Sequence, residues 1–215
     1  MAYRGEVMVE RRALLGGALA TCLSLPSSKL ARAQPSGLAP TPRQTVGPFY
    51  PTTFPADVDS DLVVLRGASA RAEGIVTHIA GRVLGRDGRP LAGAMVEIWQ
   101  CDSRGRYLHP ASDGNGPRDR GFQGFGRAAT GPDGRYAFRT IRPVAYPGRT
   151  PHIHFAVVAG KLRMATQMYV AGDPLNERDG LYRSLGPARD AVTVRLDAAN
   201  GIEPGALAGE FDIVL

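Results

Sequence analysis

The chain is poor in cysteine: among 215 residues only Cys22 and Cys101 carry a thiol. One of the two lies in a segment read below as removable, so a disulfide framework and a thiolate zinc site are both excluded. No stretch sustains a 3.6-residue apolar period, and 27 Gly and 17 Pro punctuate the chain too often for long helices. The longest apolar run, "ALLGGALATCLSL" at residues 13–25, is too short to span a bilayer comfortably. A run of basic residues with interleaved aromatics is also lacking: the formal charge of +6 is interspersed along the chain, which speaks against a nucleic-acid partner.

What is present begins with that apolar run. It follows Arg11-Arg12 and precedes "ARA" at 31–33, the layout of an export signal of the twin-arginine type over residues 1–33. The expectation is an exported, periplasmic protein with no membrane association after cleavage. Cys22 after Leu-Ala-Thr leaves a lipoprotein or anchored form as the alternative. Without the signal the mature chain stands near +3, a modest positive field suited to a small anionic substrate.

Residues 34–73, rich in Pro, Thr, Asp and Ser, show neither helical nor strand period and read as an extended N-terminal arm over a surface. From Gly74 to Leu215 short apolar alternations are broken by turn dipeptides. Two strand-like runs flank Asp87-Gly88, two more flank Asp133-Gly134, and others follow at "HIHFAVVAG", "RMATQMYVAG", "AVTVRLD" and "EFDIVL". The pattern predicts an all-β fold, an antiparallel β-sandwich with long loops, with a helical turn in "PLNERDGLYRSL".

"RTPHIHF" at 149–155 carries the first chemical signal. In a strand His152 and His154 share one face while Ile153 and Phe155 share the other, so two imidazoles converge on one ion or simply sit on a half-buried strand. Two histidines leave a first-row metal under-coordinated. No Asp or Glu stands within fifteen residues before His152; the nearby candidates are Tyr146 and Tyr107. Two phenolates with two neutral imidazoles favour ferric iron over zinc or copper, whereas the alternative for each tyrosine is a packing residue with a wet hydroxyl.

"GRPLAGAMVEIWQCDSRGRYLHP", "GFGRAATGPDGRYAFRTIRPVAYPGRTPHIHF" and "TQMYVAGDPL" together resemble the intradiol ring-cleavage dioxygenases, in particular the protocatechuate 3,4-dioxygenase chains of a short, exported type. The resemblance runs from about Thr45 to the C-terminal "FDIVL". It implies Tyr107, Tyr146, His152 and His154 as ligands of a non-haem Fe(III), Arg149 as the active-site guanidinium and Gln167 as its polar neighbour. It also implies Trp99 as a wall of the substrate pocket. "QTVGPFYP" is similar to the arm that helps wall that pocket, which implies Thr45, Gly47 and Pro48 as substrate contacts, supplied in one subunit or across a homo-oligomer interface.

The implied partners are a small aromatic diol and O2. The resemblance further implies that the diol, having lost both protons, binds the iron in place of Tyr146 and reacts with O2 between its two hydroxylated carbons to give a cis,cis-muconate-type diacid. Tyr146 and His152 are six residues apart, where the well-known protocatechuate and catechol enzymes carry a longer insertion with a tryptophan. One pocket wall therefore differs, and the resemblance does not carry over the ring substituent. The helical dimerisation segment of catechol 1,2-dioxygenases is not recognisable either. Two competing readings remain: a non-catalytic transthyretin-like or carboxypeptidase-regulatory-like β-sandwich binding module, and a copper or zinc site on the same His pair.

Overall fold

The computed structural model describes residues 37–112 and 116–215. The described residues all belong to one unit, Pro35–Leu215, and residues 1–34 form no part of it. The export-signal segment, residues 1–33, lies outside the described residues.

The unit is a sandwich of two five-stranded sheets. Its elements are β1 (Val76–Leu84), β2 (Met95–Trp99), β3 (Phe125–Ala129), β4 (Arg135–Ile141), β5 (His152–Ala159), β6 (Leu162–Val170), a five-residue helix α1 (Gly180–Ser184), β7 (Thr193–Val194), β8 (Asp197–Ala198), β9 (Leu207–Glu210) and β10 (Ile213–Val214). One sheet is built around β1, with β4 on one edge and β9, β10 and β8 beyond the other; the second runs β3-β2-β5-β6-β7. The long strands pair antiparallel, as the alternation predicts, while short parallel pairs finish the edges: β9 and β10 along β1, and β7 along β6.

The two Asp-Gly turns form as read but do not close hairpins between their flanking strands. In each, a glycine amide bonds across the turn, Gly85 to the Arg89 carbonyl (2.8 Å) and Gly131 to Arg135 (2.9 Å). Asp87 and Asp133 accept from the amides of Arg89 and Arg135. Gly88 and Gly134 take φ of +80° and +74°, which a side chain would resist. Beyond each turn the chain changes sheet, so β1 pairs with β4 and β2 with β3.

Between the sheets lies the core, including Ile79, Val83, Val96, Ile98, Phe138, Ile153, Phe155, Val157 and Met168. The stretch 37–73 carries no strand, but its backbone is tied down by bonds from Leu38 to Arg86, Thr41 to Val214 and Gln44 to Ala165. It does more than cover a surface, because Leu62 and Val63 are fully buried in the core. The helical turn expected in "PLNERDGLYRSL" is a 3-10 turn at Asn176–Arg178 followed by α1. A second 3-10 segment, Gly186–Val192, takes the first residues of "AVTVRLD", where Pro187 favours a helical start and leaves two extended residues.

Candidate metal centre

Strand periodicity turns β5 into two unlike faces. Ile153, Phe155 and Val157 point into the core, and His152 and His154 to the outer side of the sheet. Register then aligns the outer side chains in rows: Phe125, Trp99, His154 and Gln167 lie across β3, β2, β5 and β6, and Tyr169 stands opposite His152. Loops and the 37–50 stretch cover these rows, forming a second apolar cluster of Trp99, Cys101, Tyr107 and Phe125 with Phe49, Tyr50 and Tyr146 against it.

Two turns deliver the tyrosines. Tyr146-Pro147-Gly148-Arg149 folds tightly, with the Arg149 amide on the Tyr146 carbonyl (2.9 Å), proline second and Gly148 third at φ +79°, the pattern of a type II turn. The short Tyr146-to-His152 spacing thus swings the phenol back over the strand. Tyr107 leaves a loop organised by the buried Asp102, which accepts from the amides of Arg104, Arg106 and Asp119. The Tyr107 amide itself donates to Ser112 (2.8 Å).

The four side chains meet. Tyr107 Oη is 3.3 Å from His152 Nε2, which is 3.2 Å from His154 Nε2. Tyr146 packs at 5.5 Å, centroid to centroid, from both Tyr107 and His152. His152 Nδ1 lies 2.7 Å from the Thr150 carbonyl, which can only accept, so Nδ1 carries the proton and Nε2 presents a lone pair to its neighbours. His154 Nδ1 is buried without a partner.

Electrostatics follow from burial. It pushes His152 down to about 4, helped by the nearby Arg149 cation, and His154 well below its ordinary value, so both imidazoles are neutral near pH 7. Burial also raises Tyr107 well above 10; it raises Tyr146 too, with Arg149 pulling the other way. Neutral nitrogen lone pairs and phenols too desolvated to ionise alone form a donor set that a cation would complete, by replacing the phenolic protons and compensating the converging acceptors. Among the described residues no group of three or more His, Cys, Asp or Glu could hold a metal ion, so a site here must use the phenols.

Arg149 lies beside this cluster. Its Nη1 is 3.3 Å from Tyr146 Oη, Nη2 donates to Gln167 Oε1 and Nε donates to Asp179 (2.8 Å). Gln167 is in turn tied to the arm: its backbone N–H donates to Gln44 Oε1 (3.0 Å), and Gln44 Nε2 donates to Tyr169 Oη (2.7 Å). Thr45 offers its carbonyl to Gln167 Nε2 (3.4 Å). Gly47, at φ +75°, lies so close that an added Cβ would stand 3.3 Å from His154 Cε1. Pro48 is exposed at the rim, and Phe49 stacks on Tyr107 (4.8 Å, 22°). The arm therefore lies over its own chain's site. Trp99 stands behind that site, fully buried and stacked on His154 (4.8 Å, 7°), and not at an open wall. A cavity of about 230 Å³ opens beside Tyr146 and Arg149 and reaches Leu175 and Arg178. Asp179, Gln44, Tyr169 and Phe49 were not singled out by their sequence; "QTVGPFYP", which holds Gln44 and Phe49, was the one available signal.

Residues 45–215 match the family model described as Dioxygenase. Over 185 residues the chain is 37% identical to the protocatechuate 3,4-dioxygenase beta chain of Burkholderia cepacia, spanning 80% of this chain and 78% of that one. The chain belongs to the intradiol ring-cleavage dioxygenase family. This dioxygenase is also 34% identical over 161 residues to catechol 1,2-dioxygenase 1 of Acinetobacter lwoffii, and spans about half the length of that relative (66% of this chain, 50% of that one). Among solved structures it superposes with a TM-score of 0.64 on the dioxygenase domain of a dioxygenase–carbohydrate-binding protein fusion from the cellulolytic bacterium Streptomyces sp. SirexAA-E, at 34% identity over 82% of this chain and 98% of that one. Family membership favours an enzyme over the non-catalytic module that the same scaffold allows.

Proposed function

We propose that the chain holds a ferric ion through Tyr107, Tyr146, His152 and His154. With O2 it cleaves a catechol-type ring between its two hydroxylated carbons, giving a cis,cis-muconate-type diacid. The observation that carries this reading is the convergence of Tyr107 Oη (3.3 Å) and His154 Nε2 (3.2 Å) on His152 Nε2, a buried cluster in a member of this family.

A ferric ion bound there would supply a Lewis acid and a template that brings diol and O2 together. The chain's own residues supply the rest. Tyr146, only half-buried and facing the cavity, accepts a diol proton at its phenolate oxygen, with Arg149 Nη1 beside that oxygen. The Arg149 fork, braced by Gln167, lies where negative charge grows on ring carbon and oxygen during ketonisation. Gly47 and Phe49 of the arm close the site against water, and Tyr107, almost wholly buried, stays in place. Trp99 supports the His154 ring through its stacked face.

The relatives are named for protocatechuate and catechol, and the shortened Tyr146 turn reshapes the wall where a ring substituent would lie. Substrate choice is therefore read from oxygen uptake with catechol, protocatechuate and hydroxyquinol; silence on all three in a red protein would point to a bulkier, lignin-derived catechol. Arg11-Arg12 and the apolar run after it support a reading in which this activity is exported from the cytoplasm.

The reading is tested on the purified protein. Red to burgundy colour from tyrosinate-to-iron charge transfer is expected, with one iron per chain. A colourless protein carrying stoichiometric zinc would sink the proposal.

A further inference from the structure

We propose that Asp179, thirty residues downstream of Arg149, is the positioning residue that aims the Arg149 guanidinium into the site. The inference rests on the reading of Arg149 as the active-site cation. The Asp179 side chain is fully buried. Its Oδ2 accepts from Arg149 Nε (2.8 Å) and from the Thr150 amide (3.0 Å), and its Oδ1 from the amides of Leu181 (2.9 Å) and Tyr182 (3.0 Å). Two oxygens thus meet four donors, a nearly saturated carboxylate that has no freedom to follow a moving partner.

The guanidinium is divided accordingly. Nε is spent on the anchor, and the two terminal nitrogens face Tyr146 and Gln167. Because guanidinium is a rigid planar fork, fixing Nε fixes the plane in which Nη1 and Nη2 lie. The anchor stands outside the donor cluster, so Arg149 is held whether or not Tyr146 keeps its place. The segment carrying Asp179 is itself docked on the β5 entry: Thr150 Oγ1 donates to Asn176 Oδ1 (2.7 Å), and Asn176 Nδ2 donates to the Val170 carbonyl (2.8 Å). Burial opposes the carboxylate charge, but the Tyr182 amide, Arg149 and the Thr150 amide more than offset it and hold Asp179 below the usual carboxylate range.

Asp179→Asn is the informative change, since the amide oxygen can still accept from Leu181 and Tyr182 while the charge against Nε is lost. In the iron-loaded enzyme kcat should fall about tenfold to a hundredfold, with iron content and colour retained and KM within about threefold. Arg149→Gln should lower kcat at least as far, and the double variant no further than Arg149→Gln alone, because both changes remove one function. In metal-free protein with 15N-labelled arginine, the Arg149 Nε–H should exchange slowly in the parent and rapidly in Asp179→Asn. A kcat for Asp179→Asn within about twofold of the parent, beside a large loss for Arg149→Gln, would overturn the positioning role alone. A silent Arg149→Gln would overturn the reading of Arg149 and the role together. An unprotected Nε–H in the parent overturns the proposal without any variant, should Asp179→Asn fail to fold.

Discussion

The inner and outer faces of β5 use the same backbone and opposite chemistry. On the inner face Ile153, Phe155 and Val157 bury hydrocarbon against the other sheet, and each contact is replaceable by another of like volume. On the outer face His152 and His154 are buried as deeply, yet bring polar atoms that β-sheet pairing does not satisfy: two Nε2 atoms facing each other and a His154 Nδ1 without a partner. The difference teaches where the fold holds energy and where it gives energy up. The inner face stabilises the metal-free chain, and the outer face gathers polar atoms that a bound cation would compensate more fully than their own contacts do.

The largest effect is expected from breaking the outer face. His154→Ala should abolish iron retention and colour and lower turnover at least about a thousandfold, on the order of 4 kcal/mol of barrier. Metal analysis and oxygen uptake check this, and a variant that keeps full iron and turnover rules His154 out as a ligand. Phe155→Ala breaks the neighbouring face. It should cost about 3–5 kcal/mol of stability in urea unfolding of the metal-free protein, while the folded fraction still takes up iron. Loss of iron binding with stability intact would contradict the division between the faces.

The two faces were not equally legible in the sequence. Period-2 alternation in "HIHF" displays both at once, since it needs only the geometry of one strand. The donors that complete the outer face come from Tyr107 and Tyr146, and tyrosine has no period that separates a ligand from a packing residue; only the order of motifs around them carried that signal. Asp179 was illegible because its role exists only after a loop thirty residues downstream docks on β5. Asp87-Gly88 and Asp133-Gly134 gave correct turns and no pairing partners, because local chemistry sets a turn while the packing of two half-buried faces decides which sheet each strand joins. Leu62 and Val63 open a four-residue apolar run, Leu62 to Leu65, in a Pro- and Asp-rich stretch, and a run this short has no period from which the burial of its first two residues could be read.

Acid sharpens the same comparison without a mutation. His152 stands near 4 in the fold against about 6.5 when unfolded, so between these values the unfolded chain binds the extra proton. The metal-free protein should therefore lose stability as pH falls from about 6.5 towards 4, by on the order of 3 kcal/mol for this one group, and change little further from it below 4. Buried His154, depressed as well, adds to the loss in the same direction. Phe155→Ala should keep this slope and His152→Gln should reduce it; equal slopes in parent and His152→Gln would show that the outer face does not govern it.

The smallest effect concerns the cover on the outer face. Tyr50 Oη donates to Glu97 Oε2 (2.8 Å), and its ring stands edge-on to Trp99 (5.0 Å) and Phe125 (6.0 Å), so one bond and two aromatic contacts help hold the arm over the row that contains His154. In Tyr50→Phe the ring contacts survive, and Glu97 keeps Arg127 as partner. No buried charge is stranded, and the cost should be only about 1 kcal/mol, a fall of about 2–4 °C in melting temperature. Because Gln44 and Gly47 keep their contacts with the site, iron content should be unchanged and any effect on turnover should appear in KM before kcat. If Tyr50→Phe loses its iron, the cover belongs to the centre itself, and the outer face extends from the strand into the arm.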